Sequence, residues 1–299
     1  MLARAFYRRR TEVKIATTLL AVGLMDTNAK SSLADQGFLK TKDPIATTAR
    51  QDQSDVLQQK LRALTQEFGV FGENVPDDFI EKVRRWARLY QTRDRDEMER
   101  VLSTLRKDFE AVQQLLVNAN LPPELAFVTL VESHFQARVV SPTDNAGLWQ
   151  FTRDTARRNG LRVNAHVDER LNPMKSTQAA CRYISRLRRD LGPDGSFLLT
   201  IAAYNMGPGR LKQRMQQVKD PMNRRDFWHL YRARVLPALT RTHIARLMAA
   251  ILIGRNPQHF GFKSPTANSP STISSLSSHV GLSSGKTNPE HTYHRRRRC

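Results

Sequence analysis

Leu121-Pro122-Pro123-Glu124-Leu125-Ala126-Phe127-Val128-Thr129-Leu130-Val131-Glu132-Ser133-His134-Phe135 is the segment on which the reading of this chain turns. The two prolines interrupt the preceding pattern, because proline lacks an amide hydrogen and disfavours a helical residue before it. Beyond them Leu125, Val128, Thr129 and Val131 predict an apolar helix with Glu132 at its end. A carboxyl group beside Val128, Val131 and Phe135 loses hydration, so its ionised form is disfavoured and its pKa should rise. General-acid chemistry needs such a group, a carboxylic acid still protonated near neutral pH. Position alone makes Glu132 a weak candidate, since most glutamates at helix ends are solvated and inert.

The helical period recurs on both sides of this segment. Phe79, Ile80, Val83, Trp86, Ala87 and Tyr90 predict an amphipathic helix started by Pro76 and Asp77-Asp78, after an earlier helix around Val56 to Phe68. Two more helices are expected, Asp94 to Lys107 and Asp108 to Asn118. A loop-rich stretch from Ser141 to Asp168 holds a short helix near Arg153 to Asn159. Asn172-Pro173 opens a long helix with Ala180, Tyr183, Ile184, Leu187 and Leu191 inward, and Gly192-Pro193 closes it. Phe197 to Asn205, Arg210 to Val218 and Thr240 to Ile253 continue the series. No run of alternating strands appears, so the expected fold class is all-α.

The 299 residues, 39% of them hydrophobic, suffice for a sizeable core. Forty-eight Lys and Arg against 28 Asp and Glu give a net charge of +20, and the excess persists in the body of the chain. Such a surface suits nucleic acid, anionic lipid or acidic wall polymers, and charge does not choose among them. Arg4, Arg8, Arg9, Arg10 and Lys14 precede an apolar run from Ile15 to Met25, too short for the roughly 20 residues of a membrane span. With Ser32-Leu33-Ala34 as a small-x-small cleavage pattern, residues 1–34 read as an export signal. No cysteine follows that run closely, so no lipid anchor is expected there. Residues 35–75 read as a partly helical linker, 76–262 as the folded domain, and 263–299 as a disordered, Ser-rich, basic tail ending in Arg295 to Arg298 and Cys299. Cys181 lies in a helical core pattern and the histidines are scattered, so neither a disulfide framework, a metal site nor a cofactor is expected.

Around Glu132 stand Ser133 and Phe135, then Ser141, the run Gly147-Leu148-Trp149-Gln150-Phe151, and later Ala202-Ala203-Tyr204-Asn205-x-Gly207-x-Gly209. In order and spacing this constellation resembles the lytic transglycosylases of goose-type-lysozyme fold, closest to the membrane-bound murein transglycosylase D type. The resemblance runs from about Pro76, through Val167-Asp168-Glu169-Arg170 and Ser176-Thr177, to Asp226-Phe227-Trp228 and Asn256-Pro257-x-x-Phe260-Gly261-Phe262. It implies a lysozyme-like α-helical domain acting on peptidoglycan glycan strands in the periplasm of a Gram-negative bacterium, without specific nucleic acid. Peripheral contact with an anionic wall or membrane surface would fall to the basic body. Three departures stand out: Thr152 replaces a usual methionine, no repeated wall-binding module follows, and the anchor common among membrane-bound relatives is missing.

The resemblance also implies site roles. Glu132 is the catalytic glutamate, and Ser141, Gln150, Tyr204 and Asn205 fall on substrate-binding positions. Ser141 and Gln150 can hydrogen-bond the N-acetyl group or hydroxyls of the sugar. Tyr204 can bring its hydroxyl to the carboxyl group, or be a core aromatic with a satisfied OH. Trp149 and Phe151 can stack on sugars or wedge the loop into the core. In the implied mechanism Glu132 protonates the glycosidic oxygen, then deprotonates the muramic 6-hydroxyl, leaving a 1,6-anhydro end. A hydrolase of lysozyme type needs a second carboxylate, for which Asp144, Asp168 and Glu169 are the candidates. The rival readings are that muramidase, an inactive wall-binding scaffold for a secretion apparatus, and a nucleic-acid binder, the last resting on charge without a recognised motif.

Overall fold

The computed structural model describes residues 44–70, 75–192 and 195–263. The export signal of 1–34, the first part of the linker and the Ser-rich tail beyond Lys263 lie outside these. The chain divides into two compact units, 1–47 and 48–299, and the second holds the helical domain. Among the described residues there is no strand, only isolated bridges such as Val140 with Ala146 and Ala146 with Phe151. The all-α expectation holds.

Eleven α-helices appear among the described residues. They are α1 (Pro44–Glu67), α2 (Asp77–Gln91), α3 (Arg95–Leu102), α4 (Arg106–Asn118), α5 (Phe127–Ser133), α6 (Arg153–Arg158), α7 (Pro173–Leu191), α8 (Phe197–Met206), α9 (Pro208–Gln216), α10 (Phe227–Arg232) and α11 (Ala238–Arg255). Helix α1 begins well before the expected Val56. Its Leu57, Leu61 and Leu64 are buried in the same core as Phe79 of α2, so the packed domain extends N-terminal to Pro76, where the sequence suggests a boundary.

Local chemistry explains the ends. Asn172 Oδ1 accepts the Lys175 amide at 3.0 Å and Pro173 fills the first turn of α7, while Gly192, at φ +85°, ends it. Ser196 caps α8 through the Leu199 amide at 3.1 Å. The expected boundary between the third and fourth helices moves from Lys107/Asp108 to Leu102/Arg106. There the Ser103 hydroxyl turns back to the Glu99 carbonyl, and Arg106 pairs with Glu110 one turn into α4.

Helix α11 is the axis of the domain. From Ile244 to Ile253, Arg246 aside, its residues are buried, and each of the Ile, Leu and Met side chains contributes on the order of 1.5–3 kcal/mol. It packs against α2, α5 and α8. Its crossing with α5 is close: a Cβ on Gly254 would lie 2.0 Å from Cζ of Phe127, so only glycine fits. On the far side of α7 the Cys181 thiol is buried against the Leu115 carbonyl of α4, and that burial pushes its pKa up to about 11.

Candidate active site

Helix α5 ends abruptly. Its C-cap His134 has φ 52° and Phe135 has φ 58°, two consecutive non-glycine residues in left-handed backbone. Each costs of order 1–2 kcal/mol. Backbone bonds from His134 to Leu130 and from Phe135 to Thr129 hold the turn, and Phe135 packs on Phe109 at 5.5 Å. The Ser133 hydroxyl shares its hydrogen between Thr129 O at 2.8 Å and Leu148 O at 3.0 Å, which sets the 147–151 loop against the helix end that carries Glu132.

Glu132 is enclosed yet reachable, with 21% of its side chain exposed. Desolvation raises its pKa to about 7, against the opposing charge of Arg246. The rise follows from the apolar neighbours read in the sequence, and it leaves the carboxyl close to half protonated at neutral pH.

Tyr204, near the end of α8, donates its hydroxyl to the Trp149 carbonyl and packs beside Tyr183 and Phe151. Burial, and secondarily the charge of Glu132, hold the phenol well above its usual pKa. Its hydroxyl therefore belongs to the surroundings of Glu132 while also bolting α8 to the loop. Trp149 is fully buried and donates Nε1 to Thr177 Oγ1 at 3.0 Å, and Phe151 is buried against Tyr183. Both rings wedge the loop into the core, and stacking on a sugar is excluded for them in this arrangement.

Gln150, at φ 47°, donates Nε2 to Gly147 O at 3.0 Å. Ser141 Oγ accepts the Asn145 amide at 2.9 Å, and Asn205 Oδ1 accepts the Thr240 hydroxyl of α11 at 2.9 Å. Tyr204 is thus tied directly to the Gln150 loop and feels the charge of Glu132, whereas Ser141 and Asn205 are engaged in a turn and a helix junction. Thr152, the departure after Phe151, caps α6 through the Thr155 amide at 3.1 Å.

The three candidate second carboxylates all have other work. The Arg170 guanidinium, 1% exposed, pairs with Asp168 at 2.7 Å and Asp144 at 3.1 Å and also holds the Asp144 and Phe151 carbonyls. Asp144 pairs in addition with Arg153, and Glu169 with Lys175 and Arg162. These partners lower all three pKa values, Glu169 to about 2 with Lys175 the first cause. Gly147, at φ +78°, passes so close that a Cβ would sit 1.8 Å from Arg170 O. The loop is therefore riveted on both flanks. Among the described residues no group of three or more His, Cys, Asp or Glu is placed to hold a metal ion.

One site residue carries no local signal in the sequence. His243 of α11 places Nε2 3.7 Å from Glu132 Oε1, with 11% of its side chain exposed. Burial first, and Arg246 second, push its pKa down to about 4, so near neutrality it is an uncharged neighbour and forms no ion pair. Only the folding of α11 against α5 reveals it.

A carboxyl of raised pKa thus stands near a clamped loop, and the three other candidate carboxylates are engaged in ion pairs. Residues 112–227 match the Transglycosylase SLT domain. It is 34% identical over 149 residues to the membrane-bound lytic murein transglycosylase D of Escherichia coli K12, covering 50% of this chain and 32% of that protein. A putative tributyltin chloride resistance protein of Alteromonas sp. strain M-1 is 35% identical over 104 residues, 35% of this chain and 49% of that one. The 70 kDa soluble lytic transglycosylase of Escherichia coli aligns with TM-score 0.45 at 17% identity over 72% of this chain and 34% of its own, too distant a likeness to carry an argument. The chain thus spans about a third of the transglycosylase D it matches.

Proposed function

We propose that the chain is a peptidoglycan lytic transglycosylase that cleaves the β-1,4 bond between N-acetylmuramic acid and N-acetylglucosamine and leaves 1,6-anhydro-muramic ends. The observation that carries this is the isolation of Glu132: its carboxyl sits at a pKa of about 7 while Asp144, Asp168 and Glu169 are all spent in ion pairs. A single carboxyl serves as acid and then as base. Protonated Glu132 delivers its proton to the glycosidic oxygen as that bond breaks. The substrate's N-acetyl group assists at the anomeric carbon. The resulting carboxylate then takes the proton of the muramic 6-hydroxyl, whose oxygen closes on the anomeric carbon. Gln150 Oε1 and the Tyr204 hydroxyl orient the sugar, with Ser141 and Asn205 at the margins.

Export to the periplasm, guided by residues 1–34, is the location this activity requires. Among the described residues no helix is long and apolar enough to cross a membrane. Digesting purified sacculi and weighing the products tests the reaction. Ends lighter by one water than hydrolysed ones are expected. Reducing ends would mean a muramidase, and no release at all would mean a wall-binding scaffold.

A further inference from the structure

Nε2 of His243 is buried and has no hydrogen-bond partner. A polar atom taken out of water and left unpaired costs free energy, and where one persists its nearest polar neighbour is informative. Here that neighbour is Oε1 of Glu132 at 3.7 Å. The gap is slightly too long for a hydrogen bond and too short to hold a water between the two atoms. A small rotation of either side chain closes it.

Three groups on the helices packed around α5 face Glu132. Arg246, one turn beyond His243 on α11, is fixed elsewhere: its Nε bonds Tyr90 OH at 3.2 Å and its guanidinium lies over Trp86 at 5.1 Å. It acts on Glu132 as a charge and also serves Asp94. The Tyr204 hydrogen is committed to Trp149 O. That leaves the His243 imidazole, which when neutral carries one N–H and one lone pair.

Building on the transglycosylase reading of Glu132, we propose that His243 is a positioning residue whose Nε2–H closes onto Oε1 of Glu132 and so presents the reacting proton on Oε2. In the acid form Oε1 is the carbonyl-type oxygen and accepts from Nε2–H while Oε2–H points to the glycosidic oxygen. Once that proton has gone, the same Nε2–H bond is made to a charged acceptor and strengthens. Oε2 then receives the proton of the 6-hydroxyl. His243 neither gains nor loses a proton in the cycle, and no change of tautomer is needed. A neutral ring suits this task, because an imidazolium at this distance would hold Glu132 ionised and remove its acid form.

The test compares His243→Phe and His243→Gln in the full chain, by pH–rate profiles on purified sacculi with thermal melts as a folding control. The Phe variant is expected to lose about tenfold in kcat with KM unchanged, the worth of one hydrogen bond to a reacting group. Its alkaline limb should move to higher pH, because the carboxylate has lost a donor. The Gln variant, which retains a reaching N–H, should recover most of the rate and the native limb. His243→Asn, with the same amide on a shorter stem, should fail to recover either, and it replaces the Phe variant if that one does not fold. Equal losses in the Gln and Asn variants with an unmoved limb would reduce His243 to packing. Full native rate in the Phe variant would also overturn the proposal. Failure of the underlying reading is separable: Glu132→Gln then releases glycan as fast as the native chain.

Discussion

Tyr204 donates its phenolic hydrogen to the carbonyl of Trp149, so a hydroxyl in the field of Glu132 is also the fastening between helix α8 and the loop that carries Gln150. Tyr204→Phe therefore leaves a carbonyl unpaired in a mostly buried place. The expected loss is about 1–2 kcal/mol of stability, read as a fall in Tm of a few degrees. Glycan release should fall further than the stability change explains, because the loop loosens. A variant with native Tm and native release would show that the bond fastens nothing.

Glu132→Gln is expected to lower glycan release by about 10²–10⁴-fold, the usual worth of a general acid or base, with the fold retained. Its effect on stability has a definite sign. The folded pKa of about 7 lies above the ordinary glutamate value of 4.5, so the folded state holds a proton that the unfolded chain releases. Native stability is thus full below about pH 4.5 and declines as pH rises to about 7, by up to about 3 kcal/mol in total. With about a fifth of the side chain in contact with solvent, the lower part of that range is the better expectation. The Gln variant should lack this slope, so its advantage in chemical denaturation should grow between pH 4.5 and 7.

The same carboxyl sets the rate profile. Because the first step needs Glu132 protonated, kcat/KM should fall on the alkaline side with an apparent pKa near 7, and the Gln variant should show no such limb. A native profile flat from pH 5 to 9 would remove Glu132 from the rate-limiting proton transfer.

Arg170 is the deepest cation of the site region, and its removal leaves Asp168 without its partner, takes one of two arginines from Asp144 and frees two carbonyls. Arg170→Met should cost about 1–3 kcal/mol, mainly from the carbonyls left unpaired, because Asp168 is in part solvated and Asp144 keeps Arg153. Gly147→Ala should cost at least about 2 kcal/mol, since it adds both a left-handed strain and a clash with Arg170 O. Equilibrium denaturation measures each. Both should also reduce glycan release through the loss of loop order.

Much of this was legible in the residues. Helix α7 announced both its ends, through Asn172-Pro173 and Gly192, because capping is chemistry between near neighbours. The raised pKa of Glu132 was legible for the same reason, since Val128, Val131 and Phe135 are adjacent in sequence. Helix α10 was missed as a helix. Its run Phe227-Trp228-His229-Leu230-Tyr231-Arg232 shows no apolar–polar period, although Asp226 caps it through the His229 amide at 2.7 Å. Whether Trp149 stacks on sugar or fills the core depended on Thr177 of α7 offering its hydroxyl. The placement of His243 depended on the crossing of α11 with α5. Both facts belong to tertiary packing, and no local pattern encodes them.

The thiol of Cys181, mostly buried between α7 and α4 with its pKa near 11, has a use unrelated to catalysis. A buried, protonated thiol does not react with alkylating reagents. Its modification is fastest when that seam parts, so the speed of alkylation at Cys181 in native buffer follows local openings of the domain. Read at Cys181 apart from Cys299, for example by mass spectrometry of its peptide, the native thiol thus reports breathing motions of the folded chain.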